Sequence, residues 1–191
     1  MKKILVTYAT LSGTTAEVAR RVADELTKRW KQTTLLQMAE VARIDEYDAV
    51  ILGAPMIVGW HRDAARFLKV HQTALAEKPL ALFATAMSLT NTGETSVGGV
   101  PVIVDGKLAQ LPQTPGKLTF KERYSAIPAY VQPMLKAAGE AKPVSVALFG
   151  GRLDLYRLQW WAVLFVSLIL RVKPGEKRNW EAISAWASSL F

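Results

Sequence analysis

None of the 191 residues is cysteine. Disulfides, thiolate metal sites and cysteine nucleophiles are therefore excluded, and any redox chemistry must be carried by a bound cofactor. Histidine is nearly absent too: His61 and His71 are the two in the chain, and their placement makes no metal pair. His71 falls on a helical apolar stripe, where a core or boundary role is the expectation. His61 stands beside a loop of interest, but neither is assigned a catalytic role. No apolar run is long enough to cross a bilayer, which takes ~20 residues. The longest, Trp160 to Leu170, is nearly unbroken but about half that length. The N-terminus, Met1-Lys2-Lys3 running into Ile4-Leu5-Val6, lacks the apolar core and cleavage site of a secretory leader, so a cytoplasmic location is expected. Acidic residues are short against basic ones, 16 to 24, giving a net charge of +8 and the expectation of an anionic partner. Half of that excess sits in residues 150–178, with six cations against Asp154 and Glu176.

With half its residues apolar, the chain has globular composition, and its length suits a single domain. Short apolar runs at Ile4 to Tyr8, Leu35 to Met38, Ala49 to Leu52, Leu80 to Thr85 and Val144 to Phe149 predict five buried strands. Between them lie helical stripes: Val18, Val22, Leu26 and Trp30, then Ala64, Phe67, Leu68, His71 and Leu75. Alternating strands and helices imply right-handed crossovers and a parallel sheet covered on both faces, a doubly wound α/β fold. Residues 92–118, rich in Gly, Pro and Thr, interrupt the alternation. There Val100 to Val104 and Lys107 to Leu111 flank Asp105-Gly106, which predicts a β-hairpin turning at that dipeptide. The stripe that follows, Phe120, Tyr124, Ile127, Val131 and Leu135, predicts a helix broken or kinked by Pro128 and Pro133.

The chemistry-bearing segment follows the first strand: Thr10-Leu11-Ser12-Gly13-Thr14-Thr15, with the helical stripe beginning at once. A helix start offers unpaired N–H groups and a positive dipole end, the hydroxyls add donors, and Gly13 allows close backbone approach. A Ser/Thr-rich turn can also be a plain helix cap. The loop has neither the lysine of a triphosphate-binding loop nor the G-x-G-x-x-G of a dinucleotide fingerprint, so a terminal monophosphate fits best.

Residues Val6 to Val22 resemble the flavodoxin signature, with Tyr8, Thr10, Gly13, Thr15, Ala19 and Val22 at its positions and Thr7 where an apolar residue is usual. The resemblance implies a flavodoxin-like five-stranded parallel sheet of order 2-1-3-4-5, to which this chain is expected to add the hairpin insertion after strand four and an extra apolar helix after strand five. It also implies FMN, bound at the switch point above strands one and three, a rule for which flavodoxin is itself a reference example. On that basis the second loop, Pro55, Met56, Ile57, Val58, Gly59 and Trp60, contacts the isoalloxazine ring, with Trp60 stacked on it or serving as an ordinary interfacial tryptophan. The third, Ala86, Met87, Ser88, Leu89, Thr90 and Asn91, supplies backbone contacts to the ring's polar edge.

Three stretches resemble the menaquinone-dependent protoporphyrinogen IX dehydrogenases more closely: the first loop, Leu52-Gly53-Ala54 through Gly59-Trp60-His61 to His71, and the tail from Phe149-Gly150-Gly151-Arg152 through Trp160-Trp161 to Asn179-Trp180. Residues 92–142 depart from that family. The resemblance implies an FMN oxidoreductase passing electrons from a reduced small-molecule substrate to a quinone at the inner face of the cell membrane. The apolar tail, 156–173, has three readings that stay open: buried helix, contact between copies of the chain, or peripheral membrane contact. A soluble flavodoxin-type shuttle is the alternative function, against which the basic charge argues, and a cofactor-free binding module is another. Nucleic acid is not expected as a partner, because no reading helix is recognisable.

Overall fold

The computed structural model describes residues 2–29, 32–57, 59–153 and 175–191. Its centre is a mostly parallel sheet of seven strands. Strand β1 (Lys3–Tyr8) lies between β2 (Gln32–Gln37) and β3 (Ala49–Pro55), followed by β4 (Leu80–Ala86) and then a strand late in the chain, Ser145–Gly150. This is the expected 2-1-3-4-5 order. Both β3 and β4 are buried at every position, as a sheet covered on two faces requires.

Alternate residues divide between two cores. Leu5, Leu52, Leu82 and Leu148 face α2 (Arg62–Val70), the short α3 (Gln72–Ala76) and a later helix, Ile127–Ala138. Ile4, Ile51, Phe83 and Phe149 face α1 (Thr14–Arg29) and the closing helix Trp180–Ser189. On that second face Trp186 packs edge-on against Phe83 and Phe149, ring centres 6.0 and 5.5 Å away, and its indole N–H donates to Ser145 Oγ at 2.9 Å. His71 closes α2, its ring 4.5 Å from Phe67, and burial pushes its pKa down.

The insertion corrects two expectations. It contains β5 (Leu89–Thr90), β6 (Ser96–Val97), β7 (Val100–Val104) and β8 (Ala109–Gln110). A hairpin is present, but it turns at Gly98-Gly99, where both residues take positive φ (58° and 77°), and joins β7 to β6, not to 107–111. Two glycines suit that two-residue turn better than Asp-Gly, because neither carries a Cβ to strain. The other side of β7 adds in parallel to Ser145–Gly150, which is β9, and β8 pairs with β5. Asp105 is buried and binds the chain on both sides of it: Lys107 N–H donates to Oδ1 at 2.9 Å and Gly150 N–H to Oδ2 at 3.1 Å. It ends a strand instead of turning a hairpin.

The second correction concerns the stripe after the insertion. It is two helices, α4 (Phe120–Tyr124) and α5 (Ile127–Ala138). Pro128 sits in the first turn of α5, where its missing N–H costs nothing, and Pro133 lies inside it. Ile127 and Val131 are buried, whereas Phe120 and Tyr124 are exposed, so the stripe is not one face. Short strands β10 (Arg152–Leu153) and β11 (Gly175–Glu176) pair antiparallel and lead to the closing helix, α6 (Trp180–Ser189). The expected apolar helix at 156–173 lies outside the described residues, as do Trp30 and Val58. Among the described residues no helix is long and apolar enough to cross a membrane.

Candidate functional site

At the carboxyl end of β1 the chain turns sharply into α1. Gly13 takes φ 85°, a region open to glycine and strained for other residues, and donates its N–H to Thr10 Oγ1 at 3.0 Å. The helix begins one residue later, leaving the N–H groups of its first turn without intrahelical acceptors and at the positive end of the dipole. Leu11 projects outward, 62% exposed, while Thr10, Ser12 and Gly13 are half-buried. The hydroxyls divide by direction. Thr14 Oγ1 donates to the carbonyl of Arg152 at 3.0 Å, and Thr15 Oγ1 pairs with Thr85 Oγ1 at 2.8 Å in a buried contact at the end of β4. Thr14 and Thr15 thus hold the loop's shape, and Thr10 and Ser12 carry the hydroxyls nearest solvent.

The second loop is a tight reversal. Met56 N–H donates to Thr85 O at 2.8 Å and Ile57 N–H to Gly59 O at 3.2 Å, and Met56 bridges back to Trp60. Pro55 and Met56 are buried, Ile57 is 42% exposed, and Trp60 is half-buried against the core with its indole N–H buried and without an acceptor. His61 caps α2, accepting the Asp63 N–H at Nδ1.

The third loop is mostly occupied by its own fold. Ala86 O accepts the Gly151 N–H at 2.7 Å, and Ser88 O accepts the hydroxyl of Tyr130 at 3.0 Å. Leu89 and Thr90 are buried in β5, with Thr90 tied to Ser125 through backbone and hydroxyl. Asn91 N–H goes to Gln110 O, and its side chain accepts Gly93 N–H. Met87 and Ser88 are the half-buried residues between β4 and β5.

A fourth segment, Gly150-Gly151-Arg152, was unassigned from sequence, although a Gly-Gly pair closing the fifth strand was its signal. A Cβ on Gly150 would lie 1.9 Å from the Lys177 carbonyl oxygen, so the closing segment crosses there against bare backbone. Beside it Glu17, in the first turn of α1, pairs with Arg152 at 3.4 Å and with Arg178. Arg178 is buried, donates through Nε to Glu176 at 2.7 Å and lies over the Trp180 ring, 4.6 Å from its centre. Hydrogen bonding to Arg178 holds the Glu176 carboxyl below its usual range, and the same bond raises Arg178. Arg152 Nε is buried without an acceptor.

The three loops and this cluster stand together at one end of the sheet. A shallow groove of about 240 Å³ lined by Glu25, Leu26, Lys28, Arg29, Ala187 and Ser188 lies at the far end of α1, roughly 20 Å along the helix from Thr14, and has no part in this arrangement. Fold and loops together define a doubly wound α/β domain whose strand order reverses beside a helix start that favours an anion. The flavodoxin-domain family matches residues 5–179, and the chain belongs to it. Among solved structures it is similar to a short-chain flavodoxin associated with a non-canonical PDU bacterial microcompartment, at 16% identity and TM-score 0.54, covering 100% of this chain and 97% of that one. A flavodoxin of Streptococcus pneumonia TIGR4 gives 12% identity and TM-score 0.51, over 98% and 96%. At these identities the likeness is one of fold. No curated protein matches.

Proposed function

We propose that the protein binds FMN at the carboxyl ends of β1, β3 and β4 and serves as an oxidoreductase that passes electrons from a reduced organic substrate to a quinone, similar to the menaquinone-dependent protoporphyrinogen IX dehydrogenases. The observation that carries the cofactor is the first loop: a helix start opened by Gly13 at positive φ, braced from within by Thr14 and Thr15 and edged by the half-buried Thr10 and Ser12. In this reading the loop takes the terminal phosphate through backbone N–H groups, and Thr10 and Ser12 donate to its oxygens. Trp60 flanks the ring from the second loop, together with Pro55, Met56, Ile57, Val58 and Gly59. Met87 and Ser88 meet the polar edge, with Ala86, Leu89, Thr90 and Asn91 behind them. Two buried donors without acceptors, Trp60 Nε1 and Arg152 Nε, belong to segments bordering the crevice, which fits a site built for a polar ligand. FMN, when bound, supplies the electron-transfer chemistry; the chain orients it, limits water around it and neutralises its phosphate. The tail resemblance and the basic charge favour the quinone-linked enzyme over a soluble shuttle.

The test compares FMN with riboflavin, which lacks the phosphate, by fluorescence titration of the wild type and of Thr10→Ala. The substitution removes a phosphate donor and the acceptor of Gly13 N–H, worth ~1 kcal/mol or about fivefold in FMN affinity, and leaves riboflavin affinity nearly unchanged. Absence of FMN binding by the wild type sinks the reading. FMN binding without reduction of a menaquinone analogue by a protoporphyrinogen donor sinks its enzymatic half.

A further inference from the structure

Large apolar side chains seldom stand almost fully in water without a purpose, and the end of the insertion together with α4 holds two, Leu111 and Phe120, with the half-exposed Tyr124 on the same helix as Phe120. Leu111 is 81% exposed, Phe120 85% and Tyr124 46%. Phe120 and Tyr124 are four apart on α4 and share a face, and α4 buries none of its residues. Leu111 precedes the segment tied to α4: Gln113, two residues on, donates its N–H to Glu122 Oε1 at 2.6 Å. The other oxygen of Glu122 accepts the Thr119 N–H at 2.8 Å. One carboxylate therefore folds the 113–119 loop against α4 and fixes how Leu111 and Phe120 are displayed. Those two bonds hold its pKa below the usual glutamate value.

The charge around these apolar groups is mostly positive. Residues 107–124 contain Lys107, Lys117, Lys121 and Arg123 against Glu122 as the one acid, and all four cations are exposed. With both Glu122 oxygens occupied by backbone donors, the surface offered outward is apolar and cationic.

We propose that this face of the insertion docks the protein on an anionic lipid surface, with Phe120, Leu111 and Tyr124 entering the headgroup layer and Lys117, Lys121 and Arg123 contacting lipid phosphates. A lipid surface, and not an acidic protein, is the occupant because side chains exposed to this degree protrude. A protein partner would need a matching pocket for each, whereas the interfacial layer accepts protruding aromatic and aliphatic chains without one. The net charge of +8 supplies long-range attraction to the same surface. The placement also has a consequence. Thr90, just past the end of β4, is tied to Ser125 by N–H to carbonyl at 2.8 Å and hydroxyl to hydroxyl at 2.9 Å, and Ser125 closes α4. The patch therefore stands at the carboxyl end of the sheet, beside the third loop, and docking turns the crevice end toward the membrane. The docking needs no cofactor, so its test is independent of the FMN reading.

The test is co-sedimentation of the whole chain with vesicles of phosphatidylcholine alone and of phosphatidylcholine and phosphatidylglycerol at a ratio of about three to one, the latter at low and physiological salt. The wild type is expected to bind the anionic vesicles, to lose affinity as salt rises, and to leave the neutral ones. Replacing Lys117 and Lys121 by Gln should weaken partitioning about 25-fold, from about fivefold per cation near an anionic surface. Leu111→Gln with Phe120→Gln should weaken it at least tenfold with the charge intact; both residues are so exposed that folding is spared. No binding to anionic vesicles at low salt overturns the proposal and returns an acidic protein as the occupant. Equal binding by wild type and both variants also overturns it, assigning the contact to another part of the chain.

Discussion

The loop after β1 and the insertion after β4 stand at the same end of one sheet and are organised in opposite senses. The first turns two of its hydroxyls inward, Thr14 to the Arg152 carbonyl and Thr15 to Thr85, and leaves Thr10, Ser12 and the backbone N–H groups of a helix start toward solvent. The second, with α4 behind it, turns the Glu122 carboxylate inward, onto Gln113 and Thr119, and leaves rings and cations outside. One suits a small anion that must be wrapped by backbone; the other suits an extended surface that only has to be touched. They share a joint. Asp105, at the end of β7, accepts from Gly150 N–H, and two residues on the Arg152 carbonyl accepts from Thr14.

Breaking that joint should have the largest effect. Asp105 is 1% exposed and accepts from Gly150 N–H, Lys107 N–H and, at 3.1 Å, Asn179 Nδ2. Asp105→Ala leaves three donors without their acceptor, two of them backbone, at a cost on the order of 3–5 kcal/mol. Since each kcal/mol lowers the melting temperature by ~2–4 °C at this chain length, thermal unfolding should shift down by about 10 °C or more. Hydrogen exchange should rise both in residues 96–104 and around Gly151. A rise in the insertion alone would mean that the two regions are not joined through Gly150.

Within the first loop the effect is smaller and separable. Thr15→Val preserves shape but leaves the buried Thr85 hydroxyl, 4% exposed, without its partner, at a cost of about 1–3 kcal/mol. Adding Thr85→Val removes the orphan and should recover most of the loss, giving a coupling that a double-mutant cycle reads by denaturant unfolding. Additive losses would show that the 2.8 Å contact is not what braces the loop.

The same contrast explains what could be read from the residues in advance. Strands β1, β3 and β4 are apolar on both faces, and α1 and α2 carry stripes that meet them, so periodicity alone placed these units and the turn between β1 and α1. Nothing in Thr10 to Thr15 says which hydroxyl faces inward. That depends on Thr85 and Arg152, 70 and 138 residues away. In the insertion, the turn signal at Asp105-Gly106 competed with Gly98-Gly99, and the winner was set by a partner distant in sequence, β9, which takes β7 as a parallel neighbour. The stripe from Phe120 to Leu135 kept helical spacing across a break at Ser125-Ala126, so the interruption was expected at Pro128 and Pro133, too late in the chain. Gly150, Gly151 and Arg152 were visible as part of a family-like tail, but their contact with the first loop is a tertiary fact.

The smallest expected effect, confined to α4 and the loop before it, concerns Glu122. Its carboxyl titrates below the ordinary glutamate value because Gln113 N–H, then Thr119, hydrogen-bond to the charged form. A group whose folded pKa is depressed adds stability above its unfolded pKa and loses it as pH falls through the folded one. Order in the 113–119 loop should therefore be unchanged from neutral pH down to the ordinary range of glutamate and be lost below it. Glu122→Gln keeps one acceptor oxygen and replaces the other by a donor facing a donor, so it should show the loosened loop at every pH. Because Glu122 is on the surface, the melting temperature of the whole protein should barely move. The readout is amide exchange at Gln113 and Thr119, followed by NMR from pH 7 to pH 3. If exchange at those two amides is alike in wild type and variant at pH 7, the carboxylate does not hold the loop, and the display of Leu111 and Phe120 must come from the backbone alone.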